Sequence, residues 1–139
     1  MKYQIIKGWK YRLVEDVLVE TSVCPGKLLA EPNGFIILSS TGCIRIKAGY
    51  SWDGASGPAI DTKDFMLASL VHDALYQLIR IKLLDKEFRK AADQTLYSLC
   101  ILSGMSWWRA QYVYLAVRLF GSGNSSHEFE GDKGTIYEV

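Results

Sequence analysis

The chain has 139 residues, 49% of them hydrophobic and 22% charged, with 16 Lys+Arg against 15 Asp+Glu. That is the size and apolar content of one compact domain. A net charge of +1 excludes both the strongly basic balance of a non-specific nucleic-acid binder and the acidic composition of a disordered chain.

From Tyr3 to Tyr50, short apolar runs are broken by turn chemistry: YQIIK, YRLVEDVLVET, KLLA, GFIIL and CIRIKAGY. Glu31-Pro32-Asn33-Gly34 and Ser39-Ser40-Thr41-Gly42 supply the Gly and Asn that tight hairpins use for positive φ. The pattern predicts an antiparallel β-meander over residues 1–50. In CIRIKA, Ile44 and Ile46 alternate with Arg45 and Lys47, so this strand buries one face and wets the other. A Gly- and Asp-containing crossover occupies residues 51–61.

From Thr62 the period changes. TKDFMLASLVHDALYQLIRIK follows Asp61, which with Asp64 makes a start resembling a capping box, and it runs about five turns. It is apolar on nearly every side, so it is expected at the centre of the domain, wrapped by other elements. A second helix is predicted from near Asp85, through EFRKAADQTLYSLCIL, to Gly104, a residue suited to the left-handed cap. A third follows Ser106 as N-cap and runs WWRAQYVYLAVRLF to Gly121. The expected fold is a single α+β domain over residues 1–121, with the β-meander packed against a three-helix unit at 62–121. Residues 122–139, SGNSSHEFEGDKGTIYEV, read as a polar C-terminal tail, mobile unless a partner holds it.

Three cysteines, Cys24, Cys43 and Cys100, occur without CxxC spacing, which indicates neither a disulfide framework nor a zinc site. Reduced thiols are expected. No run reaches the about 18 consecutive apolar residues of a membrane span, and MKYQIIKGWKYRL lacks the apolar centre of a signal peptide.

Two histidines are present, His72 and His127. His127 lies in the polar tail. His72-Asp73 falls in the middle of the apolar helix, where an ionisable pair is tolerated only when other polar groups meet it. The second helix offers Arg89, Asp93 and Tyr97 at i, i+4 and i+8, one stripe along its surface. His72 and Asp93 are 21 residues apart, so antiparallel pairing of the two helices brings them together. Asp93 then holds one imidazole nitrogen and leaves the other to act as a base toward water. Asp73 lies about 100° further round the helix, on a neighbouring face. Arg89, at helical spacing from Asp93, reads as its structural clamp. The same His72, Asp73 and Asp93 equally suit a buried hydrogen-bond network that fixes helix register.

The crossover Tyr50-Ser-Trp-Asp-Gly-Ala-Ser-Gly-Pro58 offers backbone carbonyls and the Asp53 carboxylate to a hard cation, with Asp73 completing an oxygen-rich site. Its glycines match neither nucleotide-binding loop pattern. Trp107, Trp108, Tyr112 and Tyr114 read as core and surface aromatics of an amphipathic helix rather than as a base-stacking platform.

The blocks DGASGP at 53–58, HDALY at 72–76, RKAAD at 89–93 and RAQYVYLAVRLFG at 109–121 resemble a domain family of unknown function found in tailed phages and prophages. The resemblance spans about Tyr50 to Gly121 and implies a phage origin, hence the host cytoplasm or the virion as location. A second likeness concerns mechanism. His72-Asp73 with Tyr76 on one helix, and Ala92-Asp93 on its partner, are similar to the catalytic helices of the secretory and parvoviral phospholipase A families. That likeness implies His72 as the base, Asp93 as its orienting group and Asp73 as a calcium ligand. Tyr76, Arg89 and Tyr97 support the set, and the loop with Asp53, Gly54, Ser56 and Gly57 supplies further calcium ligands.

Two functions follow as expectations. One is a calcium-assisted esterase acting on lipid; the other is a non-catalytic virion, tail or assembly component whose partners are other virion proteins. Neither involves nucleic acid or a transmembrane segment.

Overall fold

A computed structural model describes residues 1–6, 10–54, 62–120 and 136–138. Ser56, Gly57, Asp61 and His127, singled out above, lie outside the described residues. The fold is α+β, with antiparallel strands in two sheets followed by three helices.

Four strands form the first sheet: β1 (Lys2–Ile5), β2 (Tyr11–Leu13), β7 (Ser51–Trp52) and β8 (Ile136–Glu138), in the order β7-β2-β1-β8. The second contains β3 (Val17–Glu20), β4 (Leu29–Ala30), β5 (Ile36–Leu38) and β6 (Cys43–Ile46), in the order β3-β6-β5-β4. The expected meander is therefore β4-β5-β6, and the run YRLVEDVLVET is two strands in different sheets. The break falls at Asp16, whose carboxylate accepts from Ala48 N–H at 2.9 Å and from Arg45 Nη2 at 3.0 Å. A side chain that captures a backbone donor diverts it from the ladder.

The turn at Glu31 works in the same way: its buried carboxylate accepts from the N–H groups of Asn33 and Phe35, at 2.8 and 3.0 Å. Gly42 is required outright. Its φ is +103°, and a Cβ there would stand 2.6 Å from the backbone oxygen of Thr21.

Part of the expected C-terminal tail is a strand. Residues 136–138 add to the edge of β1, with Lys2 opposite Glu138 and Gln4 opposite Ile136. Pairing with β1 gives its backbone groups partners that local sequence could not supply.

Helix α1 (Lys63–Arg80) is buried on all sides from Phe65 to Leu78 apart from Leu67, as its mostly apolar surface requires. Trp52 Nε1 donates to Ser69 Oγ at 3.0 Å and fastens β7 to it, while Trp52 packs against Tyr3 and Tyr11 at ring centroid distances of 6.1 and 5.4 Å. The residue preceding α1 is Thr62, and its hydroxyl does not cap the helix. It donates to Asp64 and accepts from Arg109 Nη1 at 2.8 Å, so it is spent on side chains.

Asp85 caps a 3₁₀ turn (Lys86–Phe88) through Glu87 N–H at 2.8 Å, and the turn leads into α2 (Arg89–Leu102). Gly104, at φ +97°, follows the end of α2. Ser106 Oγ accepts from Arg109 N–H at 3.4 Å at the start of α3 (Trp107–Phe120). Helix α2 packs between α1 and α3. Thr95 of α2 accepts from Ser22 N–H at 3.1 Å, joining the helices to the second sheet. Among the described residues, no helix is long and apolar enough to cross a membrane, and the three cysteines are free.

Candidate functional site

The antiparallel packing of α1 and α2 brings His72 and Asp93 together. Asp93 is 0% exposed, so its charge must be met in full by protein groups. His72 Nε2 lies 2.7 Å from Oδ1. Tyr76, one turn after His72 on α1, donates its hydroxyl to the same oxygen at 2.5 Å. Arg118 of α3 donates Nη1 to Oδ2 at 2.7 Å. The His72 and Tyr76 rings lie 4.1 Å apart between centroids, so the two side chains form one packed unit aimed at the carboxylate.

Burial opposes the charge on Asp93, but hydrogen bonds from His72, Tyr76 and Arg118, with the attraction of His72, outweigh it and hold the carboxyl below its usual range. Burial, reinforced by the Asp93 bond, pushes the Tyr76 hydroxyl well above the ordinary tyrosine value, so it stays a donor. The Asp93 contact likewise raises Arg118. An ionised carboxylate only accepts, so Nε2 of His72 carries a proton. A neutral imidazole then has its lone pair on Nδ1.

Arg89 does not clamp Asp93. It donates Nε to Tyr76 Oη at 3.1 Å and Nη2 to the backbone oxygens of Val117 and Arg118, at 3.2 and 3.1 Å. The carboxylate turns inward to α1 while the longer arginine spans to the backbone carbonyls near the end of α3, and Arg118 takes the clamping position. Tyr97 stands apart from the set: it accepts from Gln111 Nε2 at 3.4 Å and packs edge-on to Tyr114 at 6.1 Å, serving the α2–α3 contact. The role of Arg118 is not announced by its local sequence; the one signal is that α3 contains no acid of its own to pair with it.

Asp73 is buried and Asp53 half-buried, and each has a partner. Gly54 takes φ +77°. Among the described residues, no three His, Cys, Asp or Glu side chains assemble into a group able to hold a metal ion.

Residues 29–117 match the domain family described as a protein of unknown function, DUF1353. The chain belongs to that family. No curated protein and no solved structure matches it. The DUF1353 region takes in the second sheet from β4 onward, α1, α2 and most of α3. His72, Tyr76, Arg89 and Asp93 all fall inside it, and Arg118 stands one residue beyond.

Proposed function

We propose that this DUF1353 protein is an ester hydrolase acting on phospholipid, encoded by a phage, with His72 as general base. The observation that carries the reading is the pairing of His72 Nε2 with Asp93 at 2.7 Å, which assigns the lone pair of the neutral ring to Nδ1. Nδ1 takes a proton from water as the water oxygen attacks the ester carbonyl carbon. The imidazolium so formed is stabilised by the ionised Asp93. It returns the proton to the departing alkoxide, so that ester and water become acid and alcohol. Tyr76 and Arg118 keep Asp93 fixed and charged throughout.

The likeness to the phospholipase A families extends to calcium. Asp73 and Asp53 carry the hard oxygen donors calcium takes and would hold the ion, with Gly54, Ser56 and Gly57 of the loop. Once bound, the ion would stabilise the developing oxyanion. Among the described residues no three His, Cys, Asp or Glu side chains form a group that could hold a metal ion, so the proton transfers above are derived from His72 and Asp93 alone.

A second reading has its own support: Arg118 and Arg89 tie Asp93, Tyr76 and the α3 carbonyls into one network across three helices. On that reading the set locks helix register in a virion, tail or assembly component. Fatty-acid release from phospholipid, measured with and without calcium for the wild type and His72→Gln, separates the two. The esterase reading expects release that falls by roughly 10²- to 10⁴-fold in the variant. Release no greater than background under both conditions overturns it in favour of the structural network.

A further inference from the structure

Helix α3 is apolar on two opposite faces. Ala110 and Val113 face inward and are buried. Trp108, Tyr112, Leu115 and Leu119, at i, i+4, i+7 and i+11, fall within one narrow stripe on the other side. Trp108 is 79% and Leu119 76% exposed, and Tyr112 and Leu115 are each about half exposed. Trp107 stands beside them, its ring edge-on to Trp108 at 5.6 Å. An apolar surface of this extent on one helix marks an interaction site.

We infer that the Trp108–Tyr112–Leu115–Leu119 face of α3 docks the protein on the surface of a lipid layer. Two observations favour lipid over a protein or nucleic-acid partner. Trp and Tyr suit the headgroup boundary, where an apolar ring body meets a wet polar edge. Finally, α3 contains no acidic residue that would have to be desolvated. Its two arginines are already engaged, Arg118 with Asp93 at 2.7 Å and Arg109 with Asp64 at 3.6 Å. Attachment is therefore by insertion of apolar side chains into the interface rather than by attraction to anionic headgroups. Resting on the esterase reading above, docking by α3 brings the enzyme to the layer that holds its substrate.

The test uses the full chain with vesicles of phosphatidylcholine alone, read by co-sedimentation and by quenching of tryptophan emission by brominated lipid. Binding is expected at low and high salt alike, and Trp108→Ser with Leu119→Ser weakens it by about tenfold or more. Leu18→Ser, at an equally exposed leucine on β3 (69%), leaves it unchanged, and so does His72→Gln. No binding to phosphatidylcholine, or binding that the double variant retains, overturns the proposal. Concentration-dependent self-association abolished by the double variant also overturns it and assigns the stripe to a second copy. Docking is read without turnover, so it can fail while hydrolysis of a soluble monomeric ester persists, and it can hold when no hydrolysis is found.

Discussion

Arg118 and Asp93 meet across 2.7 Å from different helices, one 31% exposed and the other wholly buried. The arginine sits at the rim of the helical layer and completes a charge at its centre. Arg118→Met should therefore destabilise the fold by about 2 kcal/mol, less than the loss of a partner from a fully buried pair because water reaches the guanidinium. The urea midpoint measures this, and an unchanged midpoint would show that water already satisfies Asp93.

The depressed ionisation of Asp93 has a definite sign. A carboxyl whose folded value lies below the unfolded value of about 3.9 stabilises the fold above that value and loses its contribution as pH falls through the folded one. Stability should be flat between pH 7 and 5 with respect to this group and decline below pH 4. Asp93→Asn should start lower and decline less steeply. Parallel curves for the two proteins across pH 3–7 would contradict the shift.

Tyr76 Oη donates to Asp93 and accepts from Arg89. Tyr76→Phe leaves both groups short of one bond and should cost about 1–2 kcal/mol. If Tyr76 also holds Asp93 in place for catalysis, the pH profile of any esterase activity moves with it. A variant that unfolds less readily than the wild type would show the hydroxyl to be a net burden.

Gly42 and Gly34 both have positive φ but differ in surroundings. Gly34→Ala meets nothing within 4 Å and should cost about 1 kcal/mol from backbone conformation alone. Gly42→Ala also drives a methyl into the Thr21 carbonyl and should cost about 2–3 kcal/mol. Equal thermal midpoints for the two variants would refute the distinction.

What was readable in the sequence was what local chemistry controls. The apolar run around Leu70 places α1 at the centre, Ser106 and Gly104 bound α3 and α2, and the 21-residue spacing of His72 and Asp93 pairs them. What escaped depends on contacts made far along the chain. Asp16 splits an otherwise continuous strand because Ala48 and Arg45 come to it. Arg118 replaces Arg89 at Asp93 because the third helix, not the second, presents a guanidinium to the outer carboxylate oxygen. Residues 136–138 become a strand because β1 offers an edge, a partner that their own polar neighbourhood does not announce.

That last pairing sets an order of events during synthesis. Lys2 precedes the helices in the chain, yet the residue opposite it, Glu138, emerges only after all three. Throughout that interval β1 has β2 on one side and an open row of amide and carbonyl groups on the other, the kind of edge that recruits stray strands. Until residues 136–138 follow, that edge of β1 stays open to mispairing, and it closes only once the helices between the two strands have been made.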